Sequence, residues 1–332
     1  MGRGRWRYMR RGKRRCPARR FPGGSVSYIS ANAYYRSVFG QKVYRIALDA
    51  GCTCPNRDGT KGTGGCIFCS GSGSGEFAAS REKSIPDQLK EAKERVARKH
   101  DSGMYIAYFQ NFTNTYGDED DLKAKYEAAL SDPEVVGISI ATRPDAISEK
   151  MYGILKDLSE KTKVWIELGL QTIHEETARW MRRGYELSVF TKAVERLSKI
   201  SGVDVIVHVI MDLPGETKEM MLQTIDYCSA LPIHGIKIAN LNILRGTDLE
   251  KEYQRAPFSL MDRDEYIAFL EEAVERLRPD IVIYRLTGDG AKSTLIAPLW
   301  VANKREVRNA IAAAFAGDGV VQGKTYRPKG SS

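Results

Sequence analysis

AGCTCPNRDGTKGTGGCIFCS, residues 50–70, places four of the chain's six cysteines within eighteen residues and surrounds them with glycine. Cys54, Cys66 and Cys69 form a C-x11-C-x2-C spacing. The last two can reach one centre from a tight turn, while the long loop delivers the third. Cys52 stands two before Cys54. Four thiolates would suit tetrahedral zinc and a non-catalytic, RNA-binding role, but a C-x-C pair on an extended backbone does not readily converge on one small ion. Three cysteines remain as the natural set. Cysteine thiolates hold iron–sulfur clusters, and three of them on a four-iron cluster leave one iron open to a non-protein ligand. An open iron implies chemistry rather than a purely structural site.

Outward from this loop the chain alternates between strand and helix patterns. The strand expected at Val43 to Asp49 runs into the cysteines. Further strands are predicted at Met104 to Gln110, Val135 to Ala141, Val164 to Leu170, Val203 to Met211 and Gly235 to Asn242. Helical periodicity fills the gaps at Pro86 to His100, Asp118 to Leu130, Ala146 to Glu160, Val189 to Ile200 and Thr217 to Ala230. Strands spaced for crossover helices make a parallel sheet, and six units fall short of the eight in a closed barrel. After these strands come QNFTNT, TRPD, LQT, DLPGE and NILRGT. Polar turn residues thus gather where a parallel barrel builds its site. Beyond Asn242 come a helix near Met261 to Leu277, a short apolar strand Ile281 to Leu286 and a last helix near Lys304 to Ala316, a segment able to complete or cap the barrel.

The words DAGCTCPNRDGTKGTGGCIFC, ATRPD (141–145), ELGLQT (167–172), LPGE (213–216) and APLW (297–300), in this order, make the chain resemble the YhcC/YtqA family of bacterial radical SAM proteins. These are related to the Elongator-type radical SAM enzymes. The likeness spans roughly Tyr34 to Phe315. It implies an α/β fold built as a partial TIM-like (β/α)6 barrel over residues 34–245, with a small C-terminal α/β extension over 246–316. It also implies a [4Fe-4S] cluster on Cys54, Cys66 and Cys69, S-adenosyl-L-methionine as cofactor, and chemistry begun by a 5′-deoxyadenosyl radical. For some members it further implies work on the C5 side chain of the tRNA wobble uridine; an unidentified small molecule or protein is the alternative substrate. An electron donor such as flavodoxin or ferredoxin would be required, in the cytoplasm.

Within the strands, Glu167 and His208 sit among apolar neighbours and are expected to point into the barrel. A lone buried histidine is ordinarily a core residue with a local hydrogen bond. The resemblance instead places Gln171 and His208 near the cofactor's ribose and Arg183 on its carboxylate, with Arg182 as the neighbouring alternative. A planar guanidinium suits that carboxylate because it donates two parallel hydrogen bonds. Gln110, Asn111 and Thr113 occupy the place of the family's contact to the methionine amino group, although the usual glycines are absent. Arg143-Pro144-Asp145 admits two readings: Asp145 caps the next helix, or Arg143 or Thr142 faces the ligand. Asp212 stands where the family more often has glycine. Cys16 and Cys228 read as isolated thiols.

Composition sets wider bounds. With 42% hydrophobic residues the chain can bury a full core, and no apolar run approaches the ~18 residues of a membrane span. Clustered cysteines fit reduced thiols in the cytosol better than a disulfide framework. No acidic residue precedes Asp49, and residues 1–48 carry 13 of the 51 Lys and Arg, leaving 38 basic against 42 acidic in the rest. The body is therefore not basic. The arm, residues 1–30, interleaves Trp6, Tyr8 and Phe21 with arginine, a composition able to grip RNA phosphates and stack on bases. A misassigned start, a solvated tail and a transit peptide are its other readings. Residues 317–332 are Gly-rich and basic and are expected to fray.

Overall fold

The computed structural model describes residues 27–71, 73, 80–98, 103–288, 290 and 292–328. The basic arm expected over residues 1–30 lies outside them up to residue 26. The described chain runs α1 (Ala31–Phe39), β1 (Val43–Leu48), α2 (Ile85–Ala97), β2 (Met104–Phe109), α3 (Glu119–Leu130), β3 (Val135–Thr142), α4 (Glu149–Lys161), β4 (Lys163–Gln171), α5 (Glu175–Trp180), α6 (Leu187–Leu197), β5 (Val203–Met211) and α7 (Lys218–Ala230). It continues with β6 (Gly235–Asn240), β7 (Ile243–Leu244), α8 (Asp248–Arg255), α9 (Arg263–Arg276), β8 (Val282–Arg285), β9 (Leu295–Ala297) and α10 (Lys304–Gly317).

Seven strands form one parallel sheet in the order β1-β2-β3-β4-β5-β6-β8, curled into a half-barrel. The partial barrel thus holds, with seven strands rather than six. The extra one is β8, the short apolar strand that the sequence places in a C-terminal extension; it pairs in parallel with β6. The strands are β-branched runs such as VDVIVHVIM, and helices cover the outer face, where the main core lies. Side-chain caps start the helices: Ser84, Asp118, Ser148 and Thr217 each accept from backbone N–H groups of the following turn, and Asp262 closes a capping box with Glu265.

The N-terminal ends of the strands are closed by α1, which lies between β1 and β8 in space. Tyr35 packs edge-on against Trp165 and Tyr284, with ring centroids 5.7 and 6.0 Å away. Tyr34 donates its hydroxyl to Asp204 over 2.8 Å. Ile29 accepts from the backbone N–H of Ile283, so the segment before α1 covers the open edge of β8. Beyond α10, residues 318–326 hydrogen-bond to the body. Val320 is buried there, and the Gln322 amide donates to the carbonyls of Arg278 and Ile281 while accepting from Ile29 N–H.

Candidate cluster and cofactor site

At the C-terminal ends of the strands, the 54–70 loop is fixed from within. Cys54 carbonyl accepts from the N–H groups of Arg57 and Asp58, and Cys69 N–H donates to Cys66 carbonyl over 3.0 Å. Gly65, at φ +81°, faces Arg57 so closely that a Cβ would stand 2.7 Å from Nε. That guanidinium reaches the carbonyls of Cys69 and Ser70 at 2.9 and 2.6 Å. Asn56 spans the loop and the body, donating to Arg182 carbonyl at 2.6 Å and lying 3.6 Å from Cys66 Sγ.

Cys54, Cys66 and Cys69 open on one cavity of about 240 Å3 that runs into the barrel. Among the described residues no three His, Cys, Asp or Glu side chains converge closely enough to hold a single metal ion. Burial, reinforced by Cys69 and Cys54 and opposed by Arg143, pushes the Cys66 thiol up to about 11. An electrophile such as iron would hold it as thiolate at neutral pH. Cys52 lies elsewhere, buried in the core, its thiol pushed up to about 12 mainly by desolvation.

Gln110, Gln171, Thr142, His208 and Glu167 line the same cavity. Gln171 ends β4 at φ +64°, and a Cβ on Gly169 would come within 2.5 Å of its amide nitrogen. Thr142 shares its hydroxyl with Thr115 at 2.6 Å. Asn111 does not face the cavity: its amide donates to Asp49 over 2.7 Å, since the chain turns after Gln110 through Phe112 at φ +56°.

Arg183 borders the cavity but its guanidinium is occupied. Nε donates to Tyr185 carbonyl, one terminal nitrogen to the carbonyls of Leu170 and Thr172, and the other to both oxygens of Glu175. All the directions of the fork are spent on the loops after β4 and α5. Arg182 pairs with Asp248 at 2.5 Å and lies off the cavity. The TRPD word is also a clamp. Asp145 takes the Arg143 guanidinium and Lys61, Arg143 donates to Arg183 carbonyl, and Ser148, not Asp145, caps α4. LQT meets LPGE where Thr172 donates to Glu216 over 2.5 Å. Asp212 leaves the cavity and accepts from Met261 N–H at 2.7 Å.

Each of the seven sheet strands sends one polar side chain into a layer beneath the cysteines: Arg45, Tyr108, Ser139, Glu167, His208, Lys237 and Arg285. Glu167 is its centre, accepting from Arg45, Tyr108, Ser139, His208 and Lys237. Though burial alone would raise it, Arg45 and Lys237 hold this carboxyl well below the usual range. Burial and neighbouring Lys237 push His208 down to about 4, so the imidazole is neutral at pH 7. Sequence reasoning singled out Glu167 and His208 but missed Arg45 and Lys237, which show the same signal: a charged residue at an inward position of an apolar strand.

The Radical SAM superfamily model matches residues 57–228, and the Radical_SAM C-terminal domain model matches 233–316. The chain is 41% identical over 300 residues to the uncharacterized protein YtqA of Bacillus subtilis, covering 90% of this chain and 93% of that one. It belongs to the YhcC/YtqA family of radical SAM enzymes. This radical SAM chain is also 32% identical over 189 residues to a tRNA uridine(34) acetyltransferase of Methanocaldococcus jannaschii. That match covers 56% of this chain and 30% of the larger protein, so the likeness extends to part of each. The fold resembles the solved archaeal Methanocaldococcus infernus Elp3 at TM-score 0.63 and 18% identity, over 84% of this chain and 64% of that one. No helix among the described residues is long and apolar enough to cross a membrane.

Proposed function

We propose that this radical SAM enzyme holds a [4Fe-4S] cluster on Cys54, Cys66 and Cys69, binds S-adenosylmethionine in the cavity below, and acts on the C5 side chain of the tRNA wobble uridine. The observation that carries the reading is the opening of three cysteines onto one cavity that continues into the barrel. Bound together, the cluster and S-adenosylmethionine supply hydrogen-atom abstraction from an unactivated carbon. The chain positions and shields: Asn56 and Arg57 set the thiols, Gln110, Gln171 and His208 offer hydrogen bonds to the cofactor's polar edges, and the aromatic plug of Tyr35, Trp165 and Tyr284 backs the layer from below. Likeness to a protein named for uridine 34 of tRNA supports the substrate. Flavodoxin or ferredoxin in the cytoplasm would supply the electron.

Anaerobic reconstitution tests the cluster. Iron and sulfide in equal amounts are expected, and they should vanish when Cys54, Cys66 or Cys69 is replaced by Ala. Retention of both by a Cys54→Ala protein would overturn the ligand set. Mass spectrometry of tRNA nucleosides from a deletion strain tests the substrate, and an unchanged wobble uridine profile would remove tRNA from the reading. If the arm grips tRNA, deleting residues 1–20 should lower the slope of log affinity against log salt, by about 0.7–0.9 for each phosphate that the arm neutralises.

A further inference from the structure

A second cavity of about 270 Å3 adjoins the cysteine cavity, toward β6 and β8. The two share Phe68, Gln110, Gln171, His208, Lys237 and Arg285 as a common wall. Lys237 stands at this join, buried, in register with His208 of β5 and Arg285 of β8.

The charges around it do not balance. Arg45 and Lys237 both pair with Glu167, so whenever Lys237 is protonated two cations meet one buried carboxylate, even with Arg285 left out of the count. His208 is neutral at pH 7 and Tyr108 is driven far above its ordinary value by burial, so neither contributes a charge of either sign. The ammonium of Lys237 has three N–H groups. One goes to Glu167 and one to Tyr108 hydroxyl at 3.2 Å; the third has no acceptor among the described residues. A buried donor without an acceptor, beside uncompensated positive charge, is costly. An anionic group in the adjoining cavity would supply both the missing acceptor and the missing charge.

We infer that the second cavity is a substrate compartment, in which Lys237 receives an anionic oxygen group of the substrate, a carboxylate or a phosphoryl, next to the cofactor cavity. This rests on the proposed function only in placing S-adenosylmethionine on the cysteine side. Burial, Arg45 and Arg285 all depress Lys237, against the pull of Glu167. An arriving anion adds a second opposing charge, so binding is accompanied by proton uptake wherever the lysine is partly neutral.

The experiment uses the reconstituted full-length enzyme, titrated calorimetrically with acetate and, separately, with inorganic phosphate at constant ionic strength. Buffers of different ionisation enthalpy report proton uptake. The expected result is saturable binding of one of these anions with proton uptake, at least tenfold weaker in Lys237→Met, and retained without uptake in Lys237→Arg. Preference for acetate identifies a carboxylate group and preference for phosphate a phosphoryl group; either supports the site. S-adenosylmethionine affinity should change less than about threefold in both variants. Binding of neither anion, or equal binding by Lys237→Met with its melting transition intact, overturns the inference. A tenfold loss of S-adenosylmethionine affinity in Lys237→Met also overturns it, because the lysine then serves the cofactor's own carboxylate. Failure of the protein to take up iron would instead sink the proposed function and leaves the anion titration of the unloaded full chain to decide this site.

Discussion

His208 Nε2 lies 2.7 Å from Glu167 Oε2, which makes the histidine of β5 a donor to the carboxylate at the centre of the barrel. Its folded pKa is depressed to about 4 from 6.5. The unfolded chain therefore takes up this proton first, and the neutral histidine's contribution to stability is complete above pH 6.5 and lost as pH falls toward about 4. His208→Gln keeps a donor and removes the titration. Denaturation midpoints at pH 7, 5.5 and 4.5 should fall less in the variant than in the parent; parallel losses would mean that His208 does not drive this window.

Arg183 should behave as a keystone of the loops. Removing its guanidinium strands three buried carbonyls and the Glu175 carboxylate, at a cost of about 3 kcal/mol or more. Arg183→Ala is expected to lower the unfolding midpoint sharply, and Arg183→Lys to restore little because one point charge cannot replace the fork. An unchanged midpoint with weaker S-adenosylmethionine binding would assign the residue to the cofactor instead.

Gly169→Ala tests the placement of Gln171. The new methyl meets only the far end of the Gln171 side chain, so the sheet should tolerate it while the amide is displaced from the cavity. A rise of about tenfold in the dissociation constant for S-adenosylmethionine is expected, roughly 1.4 kcal/mol, with little change in melting. Equal affinity in equilibrium dialysis would remove Gln171 from the cofactor's contacts.

Cys52→Ala separates packing from ligation within the cysteine-rich stretch. The thiol is core, so its loss should cost about 1 kcal/mol through the small cavity left behind. Iron and sulfide content should stay at the parent level, and loss of iron would show that Cys52 is a ligand.

The strand and helix order was readable because β-branched runs and side-chain caps are local. β6 spans the end of its expected strand within two residues, and β5 matches it at both ends. β8 was harder to place: it is four residues long and separated from β6 by two helices, and only its pairing partner makes it a sheet strand. Glu167 announced itself as a charge among apolar neighbours, but its five donors come from five strands, and register is a property of the assembled sheet. Where the side chains of Asn111 and Arg183 go was illegible for a related reason. Motif position fixes where a residue sits on the chain, whereas a left-handed turn at Phe112 and a cage of carbonyls decide where each side chain goes.

The aromatic plug of Tyr35, Trp165 and Tyr284 has a consequence for when the polar layer above it becomes dry. These rings, buried with Val43, Ile106 and Ile206, back the layer from below, and its cavities open toward the rim. Whatever fills the rim therefore also sets the local dielectric. Attractions between the cations and Glu167, modest while water stands in the mouth, strengthen severalfold once an occupant displaces it. The barrel thus stiffens electrostatically on loading, with no hinge or lid required to time the change.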